Sequence, residues 1–410
     1  MSQQGPIIVV STAQRPPFAT ALDDAKLFPI IDTSWADAAR AIAQLQPAAV
    51  LVAMSAPPEG DFEALAKLIA AQQPYLPLIA VDPQTSLPDN AIPFAQSGGH
   101  FERLIARLRA ALRVRTLHAT VLRRLVDDAA ASAPVSDIDP VRDATALLIG
   151  RGGCYPALSV SLGERMGVVG AFSIEAAAKH LNIRDLDGIV LGEGFSARVM
   201  DAFLTVLAED TRFRNLPVVV TSDGLVPTYD LPNLEIISGD AARVAANALP
   251  LIRQHALAAH LSRTLKSIDA DGLIDPRTGL LTSAAFDRDF ATAVSQTSSG
   301  GGGLSVARFA FDPRQARAQL DGARILSRLM RQMDFGAVRE DGSIVVAFAE
   351  TDLRSAHMIA RRLASVMRHT THGKRDTRSE PVVTVATLLP GDSAQSLLAR
   401  LCGEARRAVS

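Results

Sequence analysis

Short, wholly apolar runs alternate along the first two-thirds of the chain with stretches whose apolar residues recur every three or four positions. Ile7-Ile8-Val9-Val10, Ala48 to Met54 and Pro77 to Val81 are too short for buried helices, and they predict strands covered on both faces. Asp37 to Leu45, Asp61 to Ala71 and Phe101 to Arg113 predict the intervening amphipathic helices. The pattern restarts after Ala144. Strands are predicted at Ala146 to Ile149, Gly188 to Leu191, Pro217 to Thr221 and Leu234 to Ile237, with helices at Ser173 to Leu181, Ala197 to Ala208 and Ala241 to Arg253. Such alternation specifies parallel sheets with helices on both faces, in two similar modules. Thr116 to Asp143 begins as a continued helix and ends in Ala-Ser-Ala-Pro and Asp139-Pro140, which sets the boundary between them.

The last segment has a different order. Leu304 to Phe311, Ser343 to Phe348 and Val382 to Leu388 predict strands; Gly322 to Met330, Asp352 to Met367 and Ala394 to Arg407 predict helices. Ahead of it, Ala241 to Lys266 is an Ala- and Leu-rich amphipathic stretch interrupted by Pro250, expected to carry helix out of the second module. The Gly300 to Gly303 run is expected to be a hairpin or loop. The resulting division is 1–118, a linker at 119–143, then 144–256 and 257–410.

Composition narrows the chemistry. A chain of 410 residues, 48% hydrophobic, can bury a core in each of three domains. A net charge of -1 provides no field to recruit nucleic acid or an anionic membrane, so any phosphate-binding group must be local. No apolar run approaches the roughly 20 residues of a membrane helix, and Met1 to Gly5 has no signal-peptide character. A cytoplasmic protein with neither nucleic-acid nor membrane partners is expected. Cys154 and Cys402 are expected to be reduced packing residues; Trp35, the sole tryptophan, is expected to pack in the first module. His357, His369 and His372 form no convincing metal constellation, and His369 to Lys374 with Arg375 and Arg378 reads as a solvated polar loop.

Both early modules resemble response-regulator receiver domains, through strand order and the run Val50-Leu51-Val52-Ala53 followed by Pro57 and Gly60-Asp61-Phe62-Glu63. The resemblance implies an aspartate at the end of that strand to accept a phosphoryl group, but Ala53 stands there, and Gly192 in the second copy. The first strands end in Val10-Ser11-Thr12 and Ile149-Gly150-Arg151, without the acidic pair that Mg²⁺ requires. Scaffolds for dimerisation or partner docking are therefore expected, and a homodimer.

The last segment resembles the GGDEF family, the diguanylate cyclases that join two GTP molecules into cyclic di-GMP. Asp275-Pro276-Arg277-Thr278-Gly279-Leu280-Leu281 looks like its opening motif, and the similarity covers roughly 140 residues. The fold class implied is α/β throughout: two flavodoxin-like receiver domains with parallel sheets, then a GGDEF-like domain with a mixed central sheet. The signature hairpin is spelled Glu340-Asp341-Gly342-Ser343-Ile344, so the paired glycines and the family's acidic residues are lost. Ala310 stands where a metal-binding carboxylate is expected, Asp312 alone cannot assemble a two-cation site, and the guanine-holding segment has no counterpart between Asp312 and Arg331. Thr282-Ser283 replaces Asn-Arg, and the lysine near the C-terminus is replaced, at about Val409. No catalytic residue, metal or cofactor is expected.

What survives is Arg331-Gln-Met-Asp334, separated from the hairpin motif by Phe335 to Arg339. Arg-x-x-Asp also occurs at Arg124, Arg184 and Arg198, and taken singly such a pair is a solvent-exposed ion pair. The register changes that reading. The family's product-inhibition site is Arg-x-x-Asp five residues before the hairpin, completed by an arginine on the next helix, where Arg362 or its neighbour Arg361 falls. The resemblance implies a cyclic di-GMP site at a helix end, with Arg331 forking onto guanine or phosphate, Asp334 accepting from a guanine edge and Arg362 or Arg361 completing it. The expected function is a non-catalytic cyclic di-GMP receptor that relays ligand occupancy to a signalling protein; the alternative is a ligand-independent interaction scaffold with a wholly decayed third domain.

Overall fold

The computed structural model describes residues 5–408 apart from 13–14, 27, 55–59, 86, 97–100, 128–138, 222–228 and 368–379, with side chains described as far as Leu401. Its contacts form two compact units. One comprises Met1–Met166, Ala171–Ala177 and Leu186–Leu261; the other comprises Gly167–Gly170, Ala178–Asp185 and Ser262–Ser410.

The first sheet contains β1 (Ile7–Ser11), β2 (Ile30–Ser34), β3 (Ala49–Ala53), β4 (Leu78–Val81) and β5 (Ala91–Phe94). Its order is β2-β1-β3-β4-β5 and every pairing is parallel, the flavodoxin-like arrangement. Ile7 to Val10 are wholly buried, so both faces are covered and the strand has no polar side. The helices are α1 (Pro17–Asp24), α2 (Trp35–Leu45), α3 (Asp61–Ala70) and α4 (Glu102–Asp127). Ser34 starts α2 by accepting the N–H of Asp37, and Trp35 packs edge-on to Phe62 in this core. The half-exposed β2, reading Ile-Ile-Asp-Thr-Ser at the sheet edge, has no continuous apolar run to announce it.

The second sheet contains β6 (Thr145–Ile149), β7 (Gly167–Ala171), β8 (Gly188–Leu191), β9 (Val218–Val220) and β10 (Leu234–Ile236). Its order, β10-β9-β8-β6-β7, repeats that of the first sheet when its strands are counted from β6. Two glycines hide β7 from a propensity reading. The helices are α5 (Tyr155–Gly163), α6 (Ile174–Ile183), α7 (Ala197–Glu209) and α8 (Ala241–Asp269). Pro250 does not interrupt α8, although it withdraws the N–H that Ala246 would have accepted. The linker expected at 119–143 begins inside α4, which continues to Asp127.

Edge strands β5 and β10, both in the first unit, share one buried arginine. Arg107 of α4 is wholly buried and pairs with Glu235 of β10, itself only 2% exposed. Its guanidinium also donates to the carbonyls of Pro93, Pro232 and Leu234, the last two at 2.9 Å, and lies 5.3 Å from the Phe94 ring centroid. The other Glu235 oxygen accepts the N–H of Ala95 at 3.3 Å. A buried ion pair with its remaining lone pairs and protons satisfied is tolerable; either half alone is not.

In the second unit, α9 (Ser283–Gly300), β11 (Leu304–Ala310), α10 (Ala316–Leu329), β12 (Phe335–Val338), β13 (Ile344–Ala349), α11 (Leu353–Met367), β14 (Val382–Thr387) and α12 (Ala394–Ala408) build a third sheet in the order β12-β13-β11-β14. These four strands pair antiparallel, and a parallel bridge from Leu281 to Ala337 makes the sheet mixed. Side chains alternate across it: Ala307 and Phe309 face one core with α10 and α11, while Leu304 and Val306 face another with Phe286 and Phe290 of α9 and Leu397 of α12. Gly301 and Gly302 take positive φ after α9, as expected of a loop, and Gly303 lies so close to the Thr351 backbone that a Cβ would meet it at 3.0 Å. Among the described residues, no helix is long and apolar enough to cross a membrane.

Candidate functional site

At the strand ends where the receiver resemblance implies phosphoryl chemistry, Ala53 is buried and Gly192 donates its N–H to the Ile149 carbonyl at 2.7 Å. Pro57 lies outside the described residues. Cys154 departs from the packing role expected of it: it precedes α5 and is exposed, 3.7 Å from Glu193, whose charge pushes the thiol pKa up and away from a reactive thiolate. The side chain of Cys402 lies outside the described residues, as do Val409, His369 and His372, and the Lys374, Arg375 and Arg378 loop.

In the third sheet, the turn between β12 and β13 is closed by Arg339 N–H to the Ser343 carbonyl at 2.8 Å, with Gly342 at φ +78°. Arg308, projecting from β11, donates to Asp341 at 2.8 Å and to Ser343 Oγ at 3.1 Å. Burial raises the Asp341 carboxyl pKa, but the Ser343 hydroxyl, the Arg308 guanidinium and the Ser343 N–H outweigh it and hold the carboxyl at about 2. This donor set does not fit the divalent cations the family resemblance implies: the carboxylate is engaged by a fixed cation, and the neighbouring position is Ala310. Phe311, one residue on, packs its ring against α10 so closely that a Cβ on Gly322 would lie 2.5 Å from it. Arg308 is the residue sequence reasoning missed; a lone charge within the otherwise uncharged strand Leu304–Ala310 was the available signal.

The Arg308–Asp341 bridge is expected to be visible in the acid limb of stability. A carboxyl held low in the fold contributes stability above its unfolded pKa of about 4, lost as pH falls towards 2. Because Asp341 is about half exposed, screening limits the effect to about 1 kcal/mol or less. Urea midpoints at pH 6 and pH 2.5 measure it: Asp341→Asn should lose less stability between them than wild type, and equal losses would remove the bridge from the account.

Arg331 to Asp334 forms a turn beyond the end of α10, which corrects the helix-end placement: Met330 is already extended (ψ 148°), and the Asp334 N–H bonds the Arg331 carbonyl at 3.0 Å. Asp334 is 9% exposed, with Oδ2 accepting the Arg331 N–H at 3.4 Å and Oδ1 without a hydrogen-bond partner. Burial raises its pKa, opposed by the N–H groups of Arg331 and Ala349. The Arg331 side chain is exposed, and its guanidinium makes no hydrogen bond or ion pair among the described residues. Arg361 and Arg362 on α11 are also exposed and similarly unpaired among the described residues. Arg361 borders a shallow surface depression with Leu353, Arg354, His357 and Met358. Met330, next to Arg331, packs in the same core as Ile359 and Leu363 of α11, so the two arginine-bearing stretches flank one core. Elsewhere in this unit Arg308, Arg328, Arg339 and Arg400 all have carboxylate partners.

The repeat of the motif at Arg184 shows why spelling alone defines nothing. Arg184 is buried and pairs with Asp321 rather than with Asp187, donating also to the Val366 carbonyl at 2.8 Å. It is an internal tie of the second unit.

No protein-family model and no curated protein matches the chain. Among solved structures it is similar to the coiled coil and GGDEF domain of DgcB from Caulobacter crescentus in complex with c-di-GMP, at 17% identity over 35% of this chain and 83% of that one, with a TM-score of 0.30. It is also similar to the FimX GGDEF domain from Pseudomonas aeruginosa, at 20% identity over 32% and 89% and a TM-score of 0.28, and to the active GGEEF domain of a diguanylate cyclase from Vibrio cholerae, at 13% identity over 32% and 92% and a TM-score of 0.30. At these scores the likeness assigns no role to any residue.

Proposed function

We propose that the chain is a non-catalytic receptor for cyclic di-GMP, binding the dinucleotide at Arg331 and Asp334 with Arg362 or Arg361 completing the site, and relaying occupancy to a protein partner as a homodimer. The observation that carries it lies in the turn after α10: the exposed Arg331 guanidinium, without hydrogen bond or ion pair among the described residues, in the same turn as a carboxylate nine-tenths buried with one oxygen unbonded. Guanidinium forks suit phosphate and the guanine acceptor edge, while a carboxylate suits the guanine N1–H and amino group. Rotation of the Asp334 carboxylate turns its idle oxygen towards such donors, and a ligand that favours one arrangement of the chain shifts its population. Calorimetric titration with cyclic di-GMP, wild type against Arg331→Ala, is the test.

Synthesis is lost in this reading, because Arg308 holds Asp341 and Ala310 offers no ligand for a cation. Incubation with GTP and Mg²⁺ is expected to release no pyrophosphate above a heat-killed control; turnover would overturn this part alone. Leu353 and Met358, exposed on α11 beside Arg361, favour a second reading in which the domain is a protein-docking scaffold without ligand. Thermal unfolding with and without cyclic di-GMP separates the two, since only a ligand of the native state raises the midpoint.

A further inference from the structure

The first unit contains a second feature that the cyclic di-GMP reading does not use. A cavity of about 420 Å³ lies where the end of α3 (Ile69, Ala70, Ala71) and the following Gln72 to Leu76 segment meet His118 of α4, the Asp139-Pro140 turn and one face of α8. That volume lies within the range of small-molecule sites. Its walls are apolar where Ile69, Leu76, Pro250 and Leu257 line it. Pro250 has a double effect here, since it fills the wall and leaves α8 one hydrogen bond short beside the cavity.

The polar groups are unequally satisfied. Asp139 pairs with Arg253 at 3.5 Å, and Asp89 at the rim pairs with Arg165, so both acids are compensated. His118 accepts the Tyr75 N–H at Nδ1 at 2.9 Å, which leaves its proton on Nε2, and burial with the nearby Arg115 lowers its pKa and keeps it neutral. Burial raises the Tyr75 pKa and keeps it a neutral phenol, an O–H donor. Gln254 is 94% buried, since 6% of it is exposed, and its Nε2 completes no hydrogen bond although the Tyr75 side chain is adjacent. An orphaned buried amide donor is costly and is ordinarily matched by an acceptor. What the cavity lacks is an acceptor: the side-chain group left without a partner is a donor, the Gln254 amide, and the Arg253 guanidinium, shared with Asp139, lies near the Tyr75 hydroxyl.

We propose that this cavity binds a small carboxylic acid with an apolar body, the carboxylate accepting from Gln254 Nε2 and the Tyr75 hydroxyl near Arg253, and the body lying against Ile69, Leu76, Pro250 and Leu257. The early modules then take a chemical input of their own, separate from the arginines of the third sheet.

Phenylacetate is a suitable probe, read by saturation-transfer NMR on the full chain. A probe of this size is expected to bind with a Kd of about 1 mM or tighter. Gln254→Leu, which removes the amide, and Ala71→Trp, which blocks the mouth from an exposed position, should each weaken binding at least tenfold. Phenylacetamide, lacking the charge, should bind at least tenfold more weakly than the acid. Absence of saturable binding to wild type overturns the proposal, as does an unchanged Kd in Ala71→Trp, whose exposed site keeps the test valid even where Gln254→Leu fails to fold. Equal affinity for the amide overturns the assignment of a carboxylate.

Discussion

Arg331→Ala is expected to lower the affinity for cyclic di-GMP at least a hundredfold. A charge-assisted hydrogen bond is worth about 1.5–3 kcal/mol, and a fork makes two of them at once. Nothing in the fold depends on the side chain: it is exposed and, among the described residues, makes no hydrogen bond or ion pair. The variant should therefore unfold at the wild-type midpoint without ligand and lose the ligand-induced rise. Arg331→Lys supplies charge without the planar fork and should recover only part of the affinity. Equal heats for wild type and Arg331→Ala would end the assignment, and a lower midpoint for the apo variant would show that the arginine is a structural tie after all.

The second large effect lies in the first unit. Arg107→Met is expected to destabilise it by about 3–5 kcal/mol, because Glu235 would remain buried with its main partner gone. The carbonyls of Pro93 and Pro232 would lose a donor in the same step. Combining Arg107→Met with Glu235→Leu should restore most of the loss, since two apolar groups leave no buried charge. Urea denaturation of the three variants measures both numbers. A loss below about 1 kcal/mol in the single variant would mean that water reaches the pair and that its burial contributes little.

The parallel sheets were legible because their central strands are covered on both faces and so read as unbroken runs, as at Ile7 to Val10. Strands with another reason to exist were not. β2 is half exposed at an edge with Asp32 in it, and β7 is Gly-Val-Val-Gly-Ala, held in place by its sheet rather than by propensity. The α9 helix carried a readable stripe in Phe286, Phe290 and Val294, but its Ser- and Thr-rich tail obscures the period. Pro250 suggested a break that the burial of its neighbours, Leu249 and Leu251, overrides.

The candidate site was legible as a list of residues and not as a geometry. Spacing selected Arg331 and Asp334, yet the same spelling at Arg184 marks a buried tie to Asp321, and only the fold tells them apart. An Arg-x-x-Asp on a helix and one in a turn have the same letters but opposite side-chain directions. In the turn the carboxylate folds back on its own backbone while the guanidinium stays outside. Arg308 escaped notice because its partner, Asp341, is 33 residues away and is brought close only by the β11–β13 pairing.

Arg107 has one more implication. A single guanidinium serves the carbonyl of Pro93, at the border strand of one sheet, and the carboxylate of Glu235, on the border strand of the other, so neither layer can melt without stripping the other of its counter-ion. Although the tandem arrangement invites two separate denaturation events, this shared charge makes the pair a single cooperative block, in which damage to either half is felt by both.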